Sequence, residues 1–529
     1  MEQLPAGAGL NRAQSPEELK NWGITEQLFR PKAKELNAGW LATGWQMAPD
    51  LSKVTVTIRE GVQFHKGWGE LTAEDIVWST NDTNGKITPT SIHAQAGDLA
   101  SILDTAYAVD KTTFVLPFHT NDVRWELYFN LAGDSFSILS KKAFEAKGED
   151  WAKANIIGTG PFEVVQWIRG ERAILRSLPS HWDALPRFNE LRMLDVPEAA
   201  ARVAMLRTGE ADIASLPVRD VAPLIKQGYE YKSAGAERSL QVTFSGNFWE
   251  TKHAKTGEPL KLEGAYVHDV PWIGNPFKPK DANNPPGMDD MEQARLVRWA
   301  LALAIDRGTA SNALFGALGR PYYLPMFPTN DPNWNDKWKV PYDPKKAEEL
   351  LDQAGYPRGA KGVRFSLAIF GATNVLDWYE VADAVAGYWR PIGVDTAVLH
   401  YDYSLMRPNL VARSNTIPVA MDCRSAIFLP WDWPRGEEET SLTRGGFGCA
   451  IEIPTIAETF FKVNAERDRE KRIQLNNELA DYMYHWMLKA GVATPEFGVV
   501  TNPRAIKEWN MRPSLYHRTN SFELLVPAR

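Results

Sequence analysis

Residues 58–75 read IREGVQFHKGWGELTAED, and the fold is decided by how they are read. From Ile58 to Phe64 apolar and polar residues alternate, the pattern of a half-buried strand. Gly61 and Gly67 then supply backbone freedom for a turn. Thr72 followed by Asp75 predicts a capping box, in which side chains answer the unpaired N–H groups of a helix start. Just upstream, Val54–Ile58 extends the alternation, and residues 72–83, TAEDIVWSTNDT, predict a short helix. Local physical chemistry therefore gives a strand, a glycine-punctuated loop and a capped helix.

Further out, residues 112–118 predict another strand. In 155–168, NIIGTGPFEVVQWI, Gly158 and Gly160 permit a tight turn and Pro161 opens a strand. The Gly-Thr-Gly is not a phosphate loop, because it has neither the lysine nor the helix start. Residues 197–216 predict a helix ending near Gly209 and then a short strand, with Asp212 in a structural role. Residues 240–249 predict a strand, and 255–290 are irregular and rich in Pro, Gly and Asn. Residues 289–307 predict a helix capped by Asp289 or Asp290, with Leu296, Ala300, Leu303 and Ala304 as its apolar stripe. Asp343, Pro344 and Gly355 cap, open and end a helix over 342–356. Helices near 376–391 and 466–490 and a strand over 492–500 follow. Such alternation of strands and helices predicts an α/β protein.

The chain has 529 residues, room for two to four domains, and 24% charged against 44% hydrophobic residues, the balance of a soluble globular protein. A net charge of −7 argues against a nucleic-acid binder, which needs a basic face. No run of 18 apolar residues predicts a membrane span. The first residues, MEQLPAGAGLNRAQSPEEL, lack the basic and apolar regions of a signal peptide, which read alone predicts a cytoplasmic protein. Cys423 and Cys449 are either two buried thiols or one disulfide, and no partners stand at zinc-ligand spacing. Twenty tryptophans are enough to pack cores and to leave some as stacking surfaces for a ligand.

The order of residue types in 58–75 resembles the "LR-x-GV-x-F-H-x-G … L-T-A-x-D-V" segment of the peptide-type (family 5) substrate-binding proteins of ABC importers, the dipeptide- and oligopeptide-binding proteins. Residues 24–34 resemble the family's early "E-x-L" helix end, and 40–50, with Trp40 and Trp45, its "P-x-L-A-x-x-W" segment. Gly158–Pro161 match "G-T-G-P", Val297–Arg307 resemble "V-R-x-A-I-x-x-A-I-D-R", and 342–356 is a further match. Residues 174–183, ILRSLPSHWD, resemble "L-x-R-N-x-x-Y-W" but carry His181 before Trp182.

This resemblance implies a bilobed periplasmic-binding-protein (Venus flytrap) α/β fold, type II or cluster C, with an extra domain inserted in the first lobe. It places the first lobe at 1–39, 171–243 and 495–529, the inserted domain at 40–170 and the second lobe at 244–494. The ligand would sit in the interlobe cleft, with Gly246, Asn247 and Pro495 in the hinge strands. The opening segment would then lie in the inserted domain, away from the ligand. The resemblance further implies a monomer without catalytic activity, cofactor or metal, which delivers an oligopeptide or similar polar solute to membrane permease subunits. It would work in the periplasm or outside the cell, associated with the membrane, its export signal lying outside this sequence.

Relatives that bind peptides hold the amino group with the aspartate of a "W-x-x-D-Y" segment. The corresponding stretch here, 417–435, departs from that pattern. Its candidates for ligand contact are Asp422, Arg424, Trp431, Asp432 and Trp433, with Arg424, Arg435 and Arg444 able to pair with an acidic group. Two tryptophans flanking a carboxylate also suit a sugar ring, so an oligosaccharide is the alternative ligand. A glycoside hydrolase using two carboxylates is the remote one, without an eightfold repeat or a G-x-S-x-G or H-E-x-x-H motif in its favour.

Overall fold

Val54, Val56 and Ile58 are all buried on one face of the strand Lys53–Ile58, as their alternation requires. The computed structural model describes residues 8–528 apart from 14–17, 33–34, 123–124, 134, 169, 238, 251–269, 278–283, 326, 328, 330–332, 374–376, 412–414, 424–450 and 515–518. Two units emerge. Unit 1 holds Met1–Leu216, Asp220–Ala236 and Phe497–Arg529; unit 2 holds Pro217–Arg219 and Glu237–Glu496. Residues 40–170 lie wholly within unit 1.

In unit 1, Lys53–Ile58 pairs antiparallel with Ala42–Met47 and with Thr113–Pro117, and Tyr107–Ala108 completes a four-stranded sheet. The strand ends at Ile58 rather than at Phe64. Beyond it the chain doubles back on itself: Phe64 N–H donates to Gly69 O at 2.8 Å and Leu71 N–H to Val62 O at 2.8 Å. The helix Ala73–Thr83 follows as predicted. Its predicted capping box is formed, and the Asp75 carboxylate accepts from both the backbone N–H (2.9 Å) and the hydroxyl (2.8 Å) of Thr72. Phe162–Ile168, Arg172–Ser177 and Glu190–Leu194 form a second antiparallel sheet. A core of Leu19, Ile24, Phe162, Leu175, Trp509 and Phe522 joins that sheet to both ends of the chain.

Unit 2 is built on Ser239–Thr243, the part of the strand Lys489–Thr501 up to Glu496, Val419–Cys423, Phe365–Ala372 and Val394–Tyr401. The last three are parallel, and the helix Trp378–Trp389 links Phe365–Ala372 to Val394–Tyr401. The predicted 289–307 helix is interrupted. It runs Asp290–Leu303, capped by Asp289, which accepts from Glu292 N–H at 2.9 Å; a second helix, Arg307–Phe315, starts behind Asp306. All four residues of the predicted stripe are buried. The 342–356 helix keeps its Asp343 cap and its left-handed Gly355 (φ +84°). The 466–490 helix is Arg469–Trp486, because Asp468 caps a new start after the helix Pro454–Ala465.

Candidate functional site

In a sheet with parallel strands, ligands gather outside the carboxyl ends, where helix starts and loops converge. In unit 2 that edge is set by register: Gly371 pairs with Ala420, and Ala372 with Tyr401. Gly371 lets the crossover helix lie directly on the sheet, since a Cβ there would stand 2.7 Å from the Tyr379 Cα. Asp422 and Cys423 close the strand Val419–Cys423, opposite Leu240 and Ser239. Arg424, Trp431, Asp432, Trp433, Arg435, Arg444 and Cys449 lie outside the described residues. In sequence, the stretch that carries the other predicted ligand contacts follows directly on Cys423, the last residue of that strand. The same edge presents Tyr401, 47% exposed, Tyr379, whose hydroxyl accepts from Arg219 Nη1 at 3.3 Å, and Glu380, paired with Arg219. His400 and Asp383 meet nearby at 3.0 Å. Isolated tyrosines and acids of this kind leave no sequence pattern to find.

Of the three predicted hinge residues, Gly246 is left-handed (φ +96°), and a Cβ on it would press into the Ile273 side chain. Asn247 is a buried junction of unit 2. Its amide donates to Phe244 O (2.8 Å) and Trp272 O (3.4 Å), and its carbonyl accepts from Gly274 N–H and from Arg298, each at 3.2 Å. Pro495 pairs with Gly319, one residue before the last residue of unit 2.

Three family-like segments of unit 1 converge on the Gly158–Pro161 turn. His65 N–H donates to Gly158 O at 2.9 Å, and His65 Nε2 meets Gly160 O at 2.8 Å. His181 Nε2 meets Thr159 O at 3.1 Å, so all three carbonyls of Gly-Thr-Gly face a histidine donor. On the other side Gly160 N–H donates to Ile24 O (3.0 Å) and Phe162 N–H to Gly23 O (3.2 Å). Burial holds the His65 imidazole down to about 4, so it is neutral at physiological pH. Next to the turn, Asp183 pairs with Arg30 and accepts from the Trp40 indole N–H at 3.1 Å. Burial alone would raise this carboxyl, but Arg30 and Trp40 outweigh it and hold it below the usual carboxylate value. Trp40, His181, Asp183 and Glu523 line a concavity of about 290 Å³ measured out to open solvent. Most of that volume is open solvent and the enclosed part has room for about one water, so this part of unit 1 reads as scaffold. Among the described residues no His, Cys, Asp and Glu group could hold a metal, and no helix is long and apolar enough to cross a membrane.

The model of the bacterial extracellular solute-binding proteins, family 5 middle region, matches residues 38–429. The chain is 24% identical to heme-binding protein A of Haemophilus influenzae, over 69% of this chain and 62% of that protein. It is 23% identical to the dipeptide-binding protein of Escherichia coli, over 69% and 63% respectively. The match thus spans less than two thirds of the length of these curated relatives. Among solved structures, the fold is similar to that of the periplasmic binding protein DppA of Helicobacter pylori in complex with the peptide STSA (TM-score 0.73, 19% identity, 100% of this chain and 96% of that one). It is equally similar to NikA of Brucella suis in complex with Fe(III)-EDTA (TM-score 0.76, 16% identity, 99% and 98%). Bilobed α/β architecture of the periplasmic-binding-protein kind is therefore the fold of this chain.

Proposed function

Because this chain belongs to the bacterial extracellular solute-binding proteins of family 5, we propose that it captures a small polar solute outside the cytoplasm and passes it to the permease subunits of an ABC importer. The observation that carries this reading is the continuous family match over residues 38–429, which includes the strand Val419–Cys423. An oligopeptide is the leading ligand. The names of related proteins include dipeptide, oligopeptide and glutathione binders, and solved neighbours hold a tetrapeptide and a nonapeptide. Neighbours that hold agropinic acid or Ni(L-His) support the broader class of small polar solutes with carboxylate and amine groups. The chain acts as a monomer, binds and does not turn over its ligand.

In this reading Asp422, Asp432 and Arg424 answer the charged ends of the solute, Trp431 and Trp433 pack on its body, and Gly246, Asn247 and Pro495 lie in the strands that flex. A micromolar affinity corresponds to about −8 kcal/mol, and ligand at 100 times its Kd raises stability by about 2.7 kcal/mol. A thermal-shift screen of di- to nonapeptides, opines, metal chelates and oligosaccharides, followed by calorimetry on the hits, tests it. Stabilisation by peptides is expected; stabilisation by sugars alone overturns the peptide assignment, and steady product release overturns binding without turnover. Trp431→Ala is expected to weaken the best hit by about 1 kcal/mol or more. Unchanged affinity by calorimetry removes that indole from the site.

A further inference from the structure

Besides the short excursion Pro217–Arg219, the chain passes from one unit to the other twice, between Ala236 and Glu237 and between Glu496 and Phe497. Both passages lie inside strands that pair with each other, Glu230–Glu237 and Lys489–Thr501. On the unit 1 side these strands are fixed together. A Cβ on Gly498 would stand 2.8 Å from the Tyr231 ring and closer still to the Lys232 carbonyl oxygen, so the backbones touch there as only glycine allows. Ala234 O accepts from Ser514 N–H at 3.2 Å, which anchors the chain again just before Gly235. Gly235 is the opposite case. It is exposed and left-handed (φ +76°), and nothing lies within 4 Å of its Cβ position, so glycine is needed there for conformation and not for room. The half-buried Ser233 ties the two strands at this point: its hydroxyl donates to Phe497 O at 2.7 Å and accepts from Gly235 N–H at 2.9 Å.

We propose that Gly235 is the pivot of the connection between the units and that Ser233 is its pin, a positioning residue that makes the two connecting strands bend as a pair. A hinge needs a few residues that absorb a large change in φ and ψ, and a glycine free of neighbours does so without a steric penalty. One hydroxyl bonded to both strands then passes a turn at Gly235 on to Phe497, the first residue beyond the other passage. Without that hydroxyl each strand moves by itself. The clamp at Gly498 and the anchor at Ala234 keep the unit 1 ends of both strands still, so the bending is confined to the stretch that follows. This assignment rests on the reading that the chain captures its solute by flexing, and it narrows that flexing to one place. Asn247 is held inside unit 2 by Phe244, Trp272, Gly274 and Arg298, too firmly to be the pivot itself.

The test is single-molecule FRET on the full chain without ligand. Dyes are attached at the exposed positions Lys147 of unit 1 and Lys361 of unit 2, each replaced by an azide-bearing residue. Ser233→Ala is expected to speed exchange between the open and closed populations at least about threefold, the effect of losing one net hydrogen bond. Ser233→Thr keeps the hydroxyl and is expected to restore the wild-type rate. Gly235→Ala strains the left-handed backbone and is expected to shift the balance of the two populations at least about threefold. Equal exchange rates in wild type and Ser233→Ala overturn the pin, as does a threonine variant that behaves like the alanine one. An unchanged balance in Gly235→Ala overturns the pivot, and it decides alone should Ser233→Ala fail to fold. A single fixed distance in the wild type overturns the hinge altogether. Because the measurement contains no ligand, a solute screen without hits counts against solute capture and leaves the hinge standing.

Discussion

Gly160→Ala is expected to destabilise unit 1 by about 3–4 kcal/mol, the sum of an overpacked backbone contact and a broken hydrogen bond. Gly160 does not have a positive φ, so the cost is steric rather than conformational. A Cβ there would stand 2.7 Å from the Gly23 carbonyl carbon and closer still to its oxygen, which accepts from Phe162 N–H. Backbone cannot swing aside as a lysine tip can. The turn must retreat, and it then loses its bonds to Ile24, to His65 and to His181 together. Gly44→Ala is the control, because nothing lies within 4 Å of its Cβ position. Its effect should stay within about 0.5 kcal/mol. Urea unfolding followed by tryptophan fluorescence compares the two, and a Gly160→Ala protein as stable as the control removes the steric account of the motif.

The second large effect is expected at Arg298, whose replacement by Met should cost unit 2 about 3 kcal/mol or more through buried acceptors left unpaired. Arg298 is wholly buried and reaches Trp486 O (2.9 Å), Trp272 O (2.9 Å) and the Asn247 side chain (3.2 Å). Burial brings its guanidinium down to about 9, so it is still charged at neutral pH. It joins the helix Asp290–Leu303 to the end of the helix Arg469–Trp486 and to the Asn247 junction. Lysine cannot replace this planar fork, since a single ammonium cannot reach three acceptors in those directions. Arg298→Lys should therefore recover less than half of the loss. The double variant Arg298→Met/Asn247→Ala should cost less than the sum of the single changes, because the two share one hydrogen bond. Strict additivity in chemical denaturation contradicts that coupling.

These two sites mark how far the sequence could be read. Asp289, Asp343 and Gly355 announced helix ends because a cap acts on backbone three or four residues away. Leu296, Ala300, Leu303 and Ala304 announced a buried face by their spacing alone. Arg298 and Arg307 stand in the same stretch and look like surface charges, yet both are buried. What allows it is a ring of main-chain carbonyls: for Arg307, those of Tyr322, Gly491, Ala302 and Ile305. Carbonyls are present in every residue, so no residue type signals where they will converge. The ligand contacts were harder for a related reason. Asp422 stands on a strand that its stretch did not announce, and which tyrosines and acids share its edge depends on the parallel register of three strands far apart in sequence.

The stretch from Val54 to Asp75 determined by itself a strand, which stops at Ile58 instead of running on to Phe64, a glycine loop and a capped helix, and its residue order pointed to the family. Tertiary structure alone decided that His65 in its middle would grip the Gly158–Pro161 turn and that His181 would meet Thr159 O in the same turn. The division has one physical cause. Periodicity, caps and turn glycines are answered by neighbours along the chain and so are written in local order. A buried charge or a close backbone approach is answered by whichever distant segment the fold brings beside it.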